Sequence, residues 1–110
     1  MSNYFDMFSN WEDVQEQFHM IQPEPEEVLY AQYDIDGYEG SADVIYRNGD
    51  MFYWVHGGHC SCYGLEDQWD PEEYSAELLV AAWERSNWHN IPDSVLQRVR
   101  EFLPNNYNGA

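Results

Sequence analysis

Lysine is missing from this 110-residue chain, and four arginines stand against 21 Asp and Glu for a formal net charge of −17. A surface of that sign repels nucleic-acid phosphates and anionic lipid, so direct binding to either is not expected. No apolar run approaches the roughly 20 residues of a membrane-spanning helix, and the acidic N-terminal stretch lacks the basic start of a signal peptide. A soluble, cytoplasmic protein is the expectation. Cysteine is scarce as well. Cys60 and Cys62 stand two apart, a spacing that rarely meets disulfide geometry, so no disulfide framework holds this fold. Internal repeats and low-complexity segments are lacking, and the length suits one small domain over residues 1–110.

Aromatic residues are abundant. Five Trp, nine Tyr and five Phe lie within a hydrophobic fraction of 44%. Each is worth a few kcal/mol when buried, which is enough to drive folding despite the charge. The charge is unevenly placed. Residues 1–77 hold 18 of the acids and a single cation, Arg47. Residues 78–110 are balanced, with Glu84, Asp93 and Glu101 against Arg85, Arg98 and Arg100.

Periodicity predicts an α+β domain in the order α-β-β-β-α-α, a three-stranded antiparallel meander with one N-terminal and two C-terminal helices. Residues 1–10 show no clean period and read as an arm or helix lead-in. Ser9 or Asn10 can cap a helix over Trp11–Met20, with Glu12 and Asp13 in its first turn and Trp11, Val14, Phe18 and Ile21 on one stripe. Pro23 and Pro25 stop it and open an acidic connector. The strands are Val28–Ile35, Ser41–Arg47 and Asp50–His56. Leu29, Ala31, Tyr33 and Ile35 face the core in the first, with Tyr30, Gln32 and Asp34 outward. In the second, Ala42, Val44 and Tyr46 share a face. The third is apolar on both faces, as a central strand would be. A Gly-rich DGYEG turn joins the first pair, and Asn48-Gly49 predicts a type I′ hairpin for the second. Gly57-Gly58 ends the last strand. Asp70-Pro71-Glu72-Glu73 then reads as a capped helix start for residues 71–86, with Tyr74, Leu78, Ala81, Ala82 and Trp83 inward. A final helix opens at Pro92-Asp93 and buries Val95, Val99 and Phe102 or Leu103.

His56-Gly-Gly-His59-Cys60-Ser61-Cys62 places four soft ligands within seven residues. Zinc takes four such ligands in a tetrahedron, which makes a small structural zinc domain on His56, His59, Cys60 and Cys62 the alternative reading. Structural zinc sites usually supply two separated ligand pairs, and the second pair is missing here. The favoured reading is a glycine turn with the cysteines as small buried hydrophobes, without a cofactor. A nucleophilic cysteine with His56, His59 or His89 as base lacks an identifiable third orienting group. Asp34-Ile-Asp36-Gly37 matches the start of a calcium loop, but Ile45 stands where the closing glutamate belongs.

The carboxylates suit another task. Many acids, few cations and a rigid scaffold are what imitation of nucleic-acid phosphates requires. Asp34, Asp36, Glu39, Glu66, Asp67, Glu72 and Glu73 lie in or beside turns and a helix start, where they can meet a partner. Tyr30, Tyr38, Tyr63, Trp69 and Trp88 are candidate exposed anchors. The block GGHCSCYGLEDQWDPEEY (residues 57–74), preceded by DGYEGSADVIYRNGDMFYWV, resembles small acidic proteins encoded by tailed bacteriophages. That resemblance assigns no catalytic residue. It implies a viral protein acting in the host cytoplasm as an inhibitor of host defence, of the anti-CRISPR or anti-restriction kind. The expectation is a non-enzymatic, stoichiometric inhibitor that presents an acidic, nucleic-acid-mimicking surface to a basic nucleic-acid-binding host protein.

Overall fold

The computed structural model describes residues 4–6, 8–37, 39–59, 65, 68–86 and 92–103. Its elements are β1 (Tyr4–Asp6), α1 (Trp11–Phe18), β2 (Glu27–Asp36), β3 (Glu39–Asn48), β4 (Met51–His59), β5 (Glu72–Ser75), α2 (Ala76–Ser86) and α3 (Asp93–Arg100). The domain is α+β as expected. The predicted meander is present as β2, β3 and β4, and the sheet is wider than three strands. β5 adds an antiparallel edge to β4, and β1 adds a short parallel edge to β2. A three-residue strand is too short to show a period, which is why β1 escapes a sequence reading. The parallel pair needs a crossover, and α1 supplies it.

α1 starts where its cap says it should. Asn10 Oδ1 accepts the Asp13 N–H at 2.9 Å, and Asp13 in turn accepts the Ser9 N–H. Trp11, Val14 and Phe18 are buried in one stripe. The helix ends sooner than predicted because His19 takes the left-handed conformation, φ 53°. The chain then leaves the stripe, and Ile21 is 98% exposed instead of buried.

The sheet is covered on both faces. α1 lies on the first face over Ala31, Tyr33, Ala42, Val44, Tyr46 and Val55. Trp69 closes that layer, stacked at 4° on Tyr46 and edge-on to Trp11 and Phe18. α2 and α3 lie on the second face over Leu29, Tyr30, Ile45 and Phe52. A β-bulge between Val28 and Tyr30 corrects the predicted alternation of β2. It turns both Leu29 and Tyr30 toward the second face while Ala31 and Tyr33 face the first. Tyr30 is therefore buried, and Ile35 is 45% exposed at the hairpin end. β3 carries Ala42, Val44 and Tyr46 on one face as expected, and residues 42–46 are all buried.

Three further corrections concern turns and boundaries. The β3–β4 hairpin closes on Asn48 and Met51, with Gly49 at φ 62° as the first loop residue. Glycine at that position with an ordinary second residue follows the II′ pattern, in place of I′. β4 does not end at Gly57-Gly58 but runs on to His59, paired with β3 through Gly40. Gly57 is needed there because a Cβ would stand 3.0 Å from Leu65 Cδ2 and 3.2 Å from Phe18 Cε1. The helix predicted from Pro71 begins at Ala76. Pairing of residues 72–75 with the β4 edge overrides the local Asp-Pro-Glu-Glu signal, and Ser75 Oγ caps the helix by accepting the Leu78 N–H. The inward face of α2 shifts accordingly to Ala76, Leu79, Val80 and Trp83, leaving Leu78 60% exposed. α3 buries Val95 and Val99 as predicted.

Candidate functional site: an open half of the sheet

The two helices cover only half of the second face. Leu29, Tyr30, Ile45 and Phe52 lie beneath them, near the β3–β4 turn. Toward the β2–β3 hairpin the strands alternate buried and exposed. Tyr33, Gly40, Ala42 and Gly57 are buried on the first face, while Asp34, Glu39, Ser41, His56 and Gly58 are exposed on the second. Register places Asp34, Ser41 and Gly58 in one row across three strands and Gln32, Asp43 and His56 in the next. Glu72 borders this surface, since it pairs with Trp54 and so shares its face.

At the centre of the open half sits Asp43, the buried charged residue among those described, 5% exposed. Its Oδ1 accepts the Trp54 indole N–H at 3.0 Å and pairs with His56 Nδ1 at 2.8 Å. A carboxylate only accepts, so Nδ1 carries the hydrogen. The His56 side chain is 64% exposed, so the rest of the ring belongs to the surface. Burial of a carboxylate beneath an exposed histidine is what fixes the ring.

The covered half is electrostatically different. Glu27 bridges two cations, accepting from Arg98 Nε at 2.7 Å and from Arg47 Nε at 3.0 Å. Both guanidiniums also lie over the Phe102 ring, at 4.7 and 5.1 Å from its centroid. The Arg98 hydrogen bond, and after it Arg47, holds the Glu27 carboxyl below the usual carboxylate range against the opposing effect of burial. Arg47 further binds Glu26, and Arg100 binds Glu84 at 3.3 Å. Three of the four cations are thus tied to glutamates of their own chain. On the border between the halves, burial and then the hydrogen bond to Glu72 push the Tyr74 hydroxyl up to about 12.

The predicted partner-binding residues separate into three groups. Asp34, Glu39 and Glu72 are exposed and share the open face. Glu73 is exposed but belongs to the first face, where it accepts the Tyr53 hydroxyl at 2.8 Å. Asp36 closes the β2–β3 hairpin opposite Glu39, while Glu66 and Asp67 lie outside the described residues. Of the aromatic anchors, Tyr30 is buried by the bulge and Trp69 is packed in the aromatic stack. Tyr38, Tyr63 and Trp88 lie outside the described residues, as does His89.

Of the zinc quartet, the structure describes the two histidines and separates them. His56 and His59 are three residues apart on a regular strand, so they point to opposite faces. His56 is on Asp43, while His59 lies on the first face in a hydrogen bond with the Tyr33 hydroxyl. Its ring occupies the space a side chain at residue 40 would need, which explains Gly40. Cys60 and Cys62 are outside the described residues, and no group of three or more His, Cys, Asp or Glu is placed to hold a metal among those described.

Sequence reasoning named His56 only as a candidate zinc ligand or base, and missed Asp43 and its pairing with that histidine. The signal was present, since an Asp within the apolar run Ala42–Tyr46 has no reason to be there without a partner. Counting back from the Asn48–Met51 closure puts Asp43 opposite His56. Among the described residues no helix is long and apolar enough to cross a membrane. Comparison with known proteins finds no matching family model, curated protein or solved structure.

Proposed function

We propose that this protein is a stoichiometric inhibitor that occupies the basic nucleic-acid-binding surface of another protein. The observation that carries the reading is the combination of a net charge of −17 with arginines committed to internal glutamates. Such a surface gains attraction and fast association from a cationic channel, and gains nothing from nucleic acid itself. A five-stranded sheet braced by helices on both faces supplies the rigidity that a phosphate imitation needs. The mechanism is competition, with no bond made or broken. Resemblance of residues 57–74 to tailed-phage proteins supports a partner among host defence or transcription proteins, such as a CRISPR effector, a restriction endonuclease or a polymerase.

The test is competition against labelled nucleic acid on purified members of those three classes. One of them should be blocked at one-to-one stoichiometry, with affinity falling steeply between about 50 and about 300 mM salt. Joint neutralisation of Asp34, Asp36, Glu39, Glu66, Asp67, Glu72 and Glu73 should abolish the block. The reading fails if no basic nucleic-acid-handling protein is bound at the lower salt, or if the neutralised variant competes as well as the parent.

A further inference from the structure

The reading above names a class of partner but not the surface that meets it, since exposed carboxylates also occur on α1, on the connector and on α2. The open half of the second sheet face differs from those in three ways. First, it is backbone-rigid, with the Gln32 and Asp34 rows paired across β2, β3 and β4 and Glu39 paired with Asp36 at the hairpin end. Second, no described element covers it, while the reverse side of the same strands is sealed by α1 and Leu65. Third, it is acidic. Asp34, Glu39 and Glu72 present carboxylate oxygens, and Asp43 holds the Nδ1 hydrogen of the His56 ring inward.

Arginine and lysine side chains are donors without an acceptor, so carboxylates at fixed spacing suit them. Same-side residues along a strand stand about 6.8 Å apart, and adjacent strands about 4.8 Å apart, a grid on which neighbouring guanidiniums can each find a carboxylate oxygen. Among the described residues no salt bridge involves these carboxylates, and Arg47, Arg98 and Arg100 pair instead with Glu26, Glu27, Glu101 and Glu84. We propose that the open half-face around Asp34, Glu39, His56 and Glu72 is the seat for arginine-rich protein surface, whose guanidiniums meet its carboxylates. This rests on the inhibitor reading above and gives it a location.

The probe is a nona-arginine peptide, titrated at low salt into the isotopically labelled full chain and followed by amide shifts and calorimetry. Shifts should concentrate at residues 32–34, 41–43 and 56–58 and spare the exposed side of α1. Ser41→Arg adds one positive charge on the face and should weaken binding about tenfold, against less than about twofold for Glu16→Gln, the same charge change on α1. Equal losses for Ser41→Arg and Glu16→Gln, or shifts centred on α1, would overturn the location and leave the inhibitor reading standing. Absence of any binding by the parent chain would overturn both. Amide spectra of each variant separate a lost contact from a lost fold.

Discussion

The two halves of the second sheet face are built from the same three strands, yet they use charge in opposite ways. In the covered half a carboxylate sits between two guanidiniums, over an aromatic ring, and beside a packed layer of Ile45, Phe52, Leu79 and Val99. In the open half the buried carboxylate of Asp43 is matched with an indole and an imidazole, and among the described residues no arginine ion pair involves the exposed acids there. Glu27 and Asp34, at the two ends of β2, are about 24 Å apart along the strand, beyond the Debye length at physiological salt. The cations therefore do little for the open half. A net charge of −17 is thus not a uniform coat. The chain spends its few cations where they hold α3 to the sheet, and leaves one rigid surface anionic.

The sharpest way to break that comparison is to remove packing from each half in turn. Phe52 is fully buried and meets Phe102 edge-on at 5.4 Å. Phe52→Ala should cost about 3–5 kcal/mol by urea denaturation, while Ser41→Ala on the open half should stay within about 0.5 kcal/mol. Equal costs would mean that the open half is structural after all.

Charge removal gives the next largest effect. Glu27→Gln leaves Arg47 and Arg98 without their shared acceptor and should cost about 2 kcal/mol at neutral pH. The pH dependence follows in sign. The Glu27 carboxyl is held below its ordinary value in the folded state, so its contribution is present above the usual carboxylate range near 4.3 and is lost as pH falls through the lowered folded value. Urea midpoints of parent and variant should therefore converge on acidification below that range. A constant gap would show that Glu27 acts by packing alone.

How much of this was readable in advance depended on whether local or distant partners decided each element. The α1 cap at Asn10 and the stripe Trp11, Val14, Phe18 depend on neighbours within a turn, and they were readable. So were the two hairpins, whose glycines sit where the backbone needs a positive φ. Residues 72–75 carry a helix-start signal and nevertheless form β5, because the β4 edge offers hydrogen bonds that the local pattern does not show. The bulge at Val28/Tyr30 was equally invisible, since Leu29 and Tyr30 look like an alternating pair until both turn to the same face. The same division holds for the site. Asp34, Glu39 and Glu72 were named from their positions beside turns, and they do share a face. Asp43 and His56 were not, because their pairing is a matter of register between two strands, and the histidine was drawn instead toward a sequence-adjacent cysteine cluster.

The smallest effect separates charge display from stability most cleanly. Asp34 and Glu39 are exposed on the open half and enter no salt bridge among the described residues. If they serve a partner and not the fold, their self-repulsion is a standing cost to the isolated protein. The double variant Asp34→Asn, Glu39→Gln should then be more stable than the parent, by up to about 0.5 kcal/mol at low salt. Near 1 M salt, where the screening length shrinks to about 3 Å, that gain should vanish. Glu27→Gln should behave in the opposite sense, remaining destabilising in high salt because its carboxylate makes short, partly buried hydrogen bonds. A double variant that loses stability at either salt would place Asp34 and Glu39 among the fold's supports, and would erase the distinction between the two halves.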